Sequence, residues 1–172
     1  MRRYLGIILL CAMVMLVAGQ AVAQDDGLNL ATELYVLRNI GVVERYGLGA
    51  AGVQAITPED AYVLDFAIAP DNNWMAYRTE EGIYLMNMST GAVSLLEATG
   101  ERIPPIRGEG DSIAWSPSGD AVAYTSPFGA RVAFNLGSST PEFRNIPNSP
   151  LLTLSWSPGG THLAVEAENN IW

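Results

Sequence analysis

The sequence predicts an all-β fold, a β-propeller of four-stranded antiparallel blades, and three observations in its 172 residues carry that prediction. A ten-residue phrase recurs three times, from Ile68 to Tyr77, Trp115 to Tyr124 and Trp156 to Val165. Its prolines, Pro70, Pro117 and Pro158, are 47 (117 − 70) and 41 (158 − 117) residues apart, a period that marks a repeat architecture built from one supersecondary unit. Each copy reads as strand, tight turn and strand, and no segment shows a convincing helical period.

In chain order, residues 1–23 are read as an export signal. Arg2 and Arg3 form a positive start, Leu5 to Ala18 is almost unbroken apolar sequence, and Ala21-Val22-Ala23 places small residues at −3 and −1 before Gln24, as a signal peptidase requires. The apolar run is shorter than the roughly 20 residues of a membrane span, so cleavage is expected rather than anchorage. Cys11 lies inside that run behind bulky Leu10, which argues against a lipoprotein. Arg2-Arg3 leaves the Sec and twin-arginine routes both open. The chain is expected to be exported, to the periplasm or the extracellular space.

Residues 24–57 are read as a leader followed by the outer two strands of a closing blade. Glu33 to Asn39 and Gly41 to Tyr46 resemble Gly82 to Asn87 and Gly91 to Val93, while Gly47 to Pro58 reads as a Gly/Ala-rich connection.

Residues 58–172 hold the blades. Ile113 and Trp115 alternate with Ala114 and Ser116, the period of two of a strand. Proline ends that strand because it cannot donate to a ladder, and Gly119, Gly160 and one of Asn72 or Asn73 supply the positive φ of the turn. Trp74 to Tyr77 and Ala121 to Tyr124 return as second strands. Ile83 to Asn87, the Ser89-Thr90-Gly91 turn and Ala92 to Leu96 complete the first blade, and Arg131 to Phe134 is the third strand of the second. Ala76, Ala123 and Ala164 occupy equivalent places, thin side chains where neighbouring sheets must approach.

Ile171-Trp172 lies 13 and 14 residues after Pro158, as Ile83-Tyr84 does after Pro70, so the third blade is expected to break off as its third strand begins. The total is about two and a half blades plus the two N-terminal strands. Such a partial ring is expected to expose an apolar face and strand edges. The remaining blades of the propeller, or self-association, are the expected cover.

Composition narrows the partners. The formal net charge is −9, every basic residue is arginine, and removal of the signal leaves 7 − 18 = −11. An acidic, lysine-free surface repels phosphate backbones and anionic lipid, so neither nucleic acid nor, after signal cleavage, membrane is expected as a partner. Cys11 is the single cysteine, so the mature chain holds no disulfide or thiolate site.

The chemistry-bearing residues have structural readings. His162, the single histidine, follows the Pro158-Gly159-Gly160 turn and has no second histidine with which to form a zinc site. No Gly-x-Ser-x-Gly nucleophile elbow occurs. Gly108-Glu109-Gly110-Asp111-Ser112 matches no full calcium ligand set and is read as an interblade loop. Asp65 and Asp111 are expected to anchor amides before their strands. Asn87-Met88-Ser89 is a sequon that a hairpin turn explains equally well, and Trp74, Trp115 and Trp156 are read as blade core. No catalytic, cofactor-binding or metal residue is assigned, and no cofactor is expected.

The phrase Trp115-Ser116-Pro117-Ser118-Gly119 with Val122-Ala123-Tyr124, followed by an Ile83-Tyr84-type third strand and a turn ending at Gly91, resembles the WD-like repeat of the TolB-like six-bladed β-propellers, over about residues 60–172. Asp71-Asn72 stands for the family's Asp-Gly, Ser118 and Gly159 replace its Asp, and Ala69 replaces its Ser. These departures alter turns and keep the architecture. The resemblance implies a non-catalytic scaffold that binds protein or small polar ligands and is a fragment of a longer protein. The alternative it implies is the propeller of an exported enzyme, either a prolyl-oligopeptidase-like serine peptidase or a propeller lyase. Fold alone does not choose between them.

Overall fold

A computed structural model describes residues 32–47, 52–98, 112–126, 129–138, 140–147, 151–167 and 170–171. The export signal and the loop from Gly108 to Asp111 lie outside the described residues.

Four antiparallel sheets succeed one another along the chain. The first is β1 (Leu34–Leu37), β2 (Val43–Tyr46) and β3 (Val53–Ala55). Blade one is β4 (Asp65–Ile68), β5 (Trp74–Arg78), β6 (Gly82–Asn87) and β7 (Val93–Ala98). Blade two is β8 (Ile113–Trp115), β9 (Ala121–Ser126), β10 (Gly129–Phe134) and β11 (Glu142–Pro147), and blade three is β12 (Leu151–Trp156), β13 (Leu163–Ala167) and β14 (Asn170–Ile171). Strands adjacent in sequence are adjacent in each sheet, the meander of a propeller blade. β8 lies against β4 and β5, and β12 against β8 and β9, so blades two and three each lean their first strand on the preceding blade.

The repeated turn builds this stack. Asn72 (φ +57°), Gly119 (φ +76°) and Gly160 (φ +69°) take the left-handed conformation. The first turn is held by Asp71 Oδ1, which accepts from Asn73 N at 2.9 Å, and the second by Ser116 Oγ, which accepts from Ala121 N at 3.1 Å and donates to Asp120 Oδ1 at 2.8 Å. Successive turns nest, because a Cβ on Gly119 would stand 3.6 Å from Pro70 Cδ and one on Gly160 3.5 Å from Pro117 Cδ.

The tryptophans lock consecutive blades. Trp115 Nε1 donates to Ala67 O at 3.0 Å and Trp156 Nε1 to Ala114 O at 3.1 Å, each reaching the first strand of the preceding blade. The indole body packs in the core, as expected, while its N–H fixes the spacing between sheets.

Strand alternation then sorts the side chains by neighbour. Met75 and Tyr77 pack with Val43 and Val63 toward the first sheet, whereas Ala76 packs with Trp115, Val122 and Tyr124 of blade two. Ala121 and Ala123 in turn meet Leu154 and Val165 of blade three. Ala76 and Ala123 are both 0% exposed, while Ala164 in the same register is exposed.

Two details depart from the sequence-based expectation. The segment read as a connection contains β3: Gly52 (φ +76°) reverses the chain, Gly47 N donates to Gly52 O at 3.0 Å, and Tyr46 pairs with Val53. Two expected strands thereby become a three-stranded sheet. Among the described residues, exposed apolar side chains are spread over several sheets, with Leu34 42% and Val53 56% exposed on the first and Val93 43% and Leu95 55% exposed on β7. The forward face of blade three presents Thr153, Ser155, Ala164 and Glu166 instead, with Thr153 Oγ1 donating to Glu166 Oε2 at 3.1 Å.

Candidate functional site

Two polar seams join blades one and two, and both are structural. Asp65 Oδ2 accepts from Ser112 N at 2.7 Å and from Ser112 Oγ at 2.6 Å, so the expected anchoring of amides by Asp65 takes place across the blade boundary. Arg78, 2% exposed, donates through Nε to Ser112 Oγ at 3.1 Å and through Nη2 to Thr125 O at 2.6 Å. Burial pushes the Arg78 guanidinium down to about 10, with the Asp65 charge opposing, so it remains charged at neutral pH. At the second seam Glu97 of β7 accepts from Tyr124 Oη and pairs with Arg131.

Tyr77 occupies in blade one the position that Tyr124 holds in blade two (70 + 7 and 117 + 7 from the two prolines). Tyr77 is 3% exposed and packs with Val43, Val63 and Met75 toward the first sheet. In strand pairing Tyr46, opposite Leu34, takes the place that Glu97, opposite Ile83, takes in blade one, where β7 carries a bulge. The first sheet thus lacks the carboxylate that satisfies Tyr124.

Beside Tyr77 lies a cleft of about 610 Å³, lined by Pro58, Asp60, Ala61 and Tyr62 on one side and by Tyr77, Thr79, Glu80, Glu81 and Tyr84 on the other. This volume is in the range of small-ligand sites. Two rigid elements frame it. The β5–β6 turn is pinned by Thr79 Oγ1, which accepts from Glu81 N at 3.1 Å and Gly82 N at 3.3 Å. Gly82 permits close packing there, since a Cβ would meet Glu97 O at 2.5 Å. Opposite, a 3-10 turn over Glu59–Ala61 leads to Tyr62, whose φ of +26° is unusual for a bulky side chain. Tyr62 is seated on Gly41, where a Cβ would come within 2.7 Å of its ring, and Val63 N donates to Gly41 O at 2.7 Å.

Tyr77 and Tyr84 stack with ring centroids 5.3 Å apart and planes 15° from parallel. Burial above all, then the charges of Tyr84 and Asp60, pushes the Tyr77 phenol up to about 12. Tyr84 is raised by burial and by Glu81, to whose Oε2 it donates at 3.3 Å. Both phenols are therefore neutral at pH 7, and among the described residues of the lining they stand beside Asp60, Glu80 and Glu81.

The residues weighed in the sequence lie elsewhere. His162 is exposed beside its turn, with Nδ1 2.9 Å from Thr161 Oγ1. Asn87 Oδ1 accepts from Ser89 N and Thr90 N at 3.0 Å each, so the sequon forms the hairpin turn. Asp111 lies outside the described residues. The cleft residues were missed because Tyr77 reads as one more strand residue. The available signal was the pair of acidic runs, Glu59-Asp60 and Glu80-Glu81, at the same end of one blade.

Stacked four-stranded meanders locked by repeated turns define a β-propeller. The protease called tricorn has a crystal structure that aligns with TM-score 0.60 at 11% identity, over 80% of this chain and 14% of that one. TolB from Acinetobacter baumannii aligns with TM-score 0.55 at 19% identity, over 78% of this chain and 35% of that one. The chain therefore spans about a third or less of the solved structures it matches. The TolB-like propeller fold expected from the repeat is thus supported by structure. No family model and no curated protein matches the chain.

Proposed function

We propose that this chain is part of an exported, non-catalytic β-propeller whose cleft between the first sheet and blade one binds a polar ligand or a protein segment. The cleft carries this reading. It sets the stacked Tyr77 and Tyr84 phenols beside Asp60, Glu80 and Glu81, and no nucleophile–base pair occurs among the described residues of the lining. The enzyme alternative draws on fold likeness, which many functions share. In this proposal residues 1–23 are removed on export, the first sheet belongs to a closing blade, and further blades cover blade three.

Two measurements test it. N-terminal sequencing of the exported protein should begin at Gln24, and an exported soluble species retaining Met1 would overturn the processing. Hydrogen exchange in the presence of a library of small polar compounds and peptides should show ligand-dependent protection at 58–62 and 79–84. Protection confined to other segments would overturn the binding site.

A further inference from the structure

We propose that the forward face of blade three is a docking surface for a strand–turn–strand unit carrying the phrase Trp-Ser-Pro-x-Gly, seated by its indole N–H on the carbonyl of Ser155. The inference rests on the reading that further blades cover blade three, and it specifies the unit that lies there.

Register across the repeats carries it. Ala67, Ala114 and Ser155 each stand one residue before the end of their first strand and pair with Ala76, Ala123 and Ala164. Ala67 O accepts from Trp115 Nε1 at 3.0 Å and Ala114 O from Trp156 Nε1 at 3.1 Å. Ser155 O is third in the series, and among the described residues no indole reaches it. Ala76 and Ala123 are sealed beneath the next blade, whereas Ala164 is exposed. Pro70 Cδ and Pro117 Cδ each abut the glycine of the following turn, 3.6 and 3.5 Å from where its Cβ would stand, and Pro158 holds the same place in the third turn. Contacts that recur twice along the stack are thus offered a third time, together, on one face.

The same contacts specify what fits. An indole fills the gap over the alanine and brings a donor to the carbonyl, which phenylalanine does not. The serine after it pins the turn, since Ser116 Oγ accepts from Ala121 N and Ser157 Oγ from His162 N, each at 3.1 Å. The glycine takes positive φ and lets the turn nest on the preceding proline. A second copy of this chain does not meet these demands. Trp115 and Trp156 are already seated on their own preceding blades. Blade one is covered behind by Val43 and Val63 and carries Ile68 at the indole position. The occupant therefore brings a phrase of its own.

The test adds to the purified full chain a cyclised hairpin peptide of residues 112–126, which carries the phrase, cyclisation holding its strands paired as in blade two. Hydrogen exchange should show protection at 153–155 and 162–166, and the peptide's indole N–H resonance should move downfield to saturation. Trp115→Phe in the peptide should weaken binding about fivefold to tenfold. A cyclised hairpin of residues 65–78, which has Ile68 in that place, should be weaker by a similar factor. Ala164→Leu in the chain, at an exposed position, fills the gap and should weaken binding about tenfold or more. Equal affinity of the tryptophan and phenylalanine peptides overturns the indole seat, and indifference to Ala164→Leu overturns the face. A dimer in sedimentation that Ala164→Leu dissolves makes a second copy the occupant and overturns the inference. Failure of every hairpin to bind, with 153–166 unprotected, overturns it too. The reading that further blades cover blade three fails separately, if Ala164→Leu carries no penalty once those blades are joined to the chain.

Discussion

Tyr77 and Tyr124 show how one side chain is used in two ways by consecutive repeats. Burial raises both phenols, with the hydrogen bond to Glu97 adding to the shift at Tyr124 and the charges of Tyr84 and Asp60 adding at Tyr77. A raised folded-state value means that the neutral phenol is favoured by folding. Its contribution is complete below the unfolded value of 10 and is lost as pH rises from there toward the folded value, about 12 for Tyr77. Urea midpoints should therefore be insensitive to these groups below pH 10 and fall above it, and Tyr77→Phe should flatten the fall between pH 10 and about 12. An unchanged slope in that variant would place Tyr77 in solvent. The tryptophans give a second residue-scale prediction. Trp115→Phe leaves Ala67 O without its donor, and Trp156→Phe does the same to Ala114 O. Each should cost about 1–3 kcal/mol by denaturant unfolding, combining the lost hydrogen bond with an unsatisfied carbonyl. Blade one carries Ile68 at that position and has no such link to lose.

Turn and hairpin set each blade, and here the sequence was most legible. Pro70, Pro117 and Pro158 with their following Asn or Gly specified a strand, a reversal and a strand by local sterics alone, and the structure places Asn72, Gly119 and Gly160 at positive φ. The third strand Arg131 to Phe134 and the turn at Gly91 were equally local, and both formed. The third strand of the first sheet was less legible, because three residues, Val53–Ala55, pair only through β2 and carry no pattern of their own. The cleft was not legible at all. Its two sides, the turn over 58–62 and the strands that bear Tyr77 and Tyr84, come together only through packing, which no local pattern announces. Two glycines separate the local from the packed constraint. Gly119→Ala faces the cost of positive φ, about 1 kcal/mol, since its Cβ would only touch Pro70 Cδ at 3.6 Å. Gly82→Ala drives a Cβ to 2.5 Å from Glu97 O, within backbone, and should cost more, about 1–3 kcal/mol. Thermal melts that rank Gly119→Ala as the worse variant would contradict the packing between β6 and β7.

On the scale of the whole molecule, the three alanines report which blade faces are covered. Each of Ala76, Ala123 and Ala164 points forward from its second strand toward the next blade, and the first two are sealed against bulky side chains of that neighbour. Leucine at Ala76 or Ala123 must displace Trp115 or Leu154, so each should lose about 1–3 kcal/mol through overpacking. At Ala164 the same change meets open space, and its effect on this chain should stay within about 0.5 kcal/mol. The comparison also senses association. If the forward face of blade three is covered in solution by another copy, Ala164→Leu will cost as much as its two counterparts, and sedimentation will show the complex weakening with it. If further blades supply the cover, as proposed, the penalty at Ala164 appears only when those blades are joined to the chain. An Ala164→Leu cost absent in both settings would mean that no blade packs there, and the ring reading of this partial propeller would fail on its own geometry.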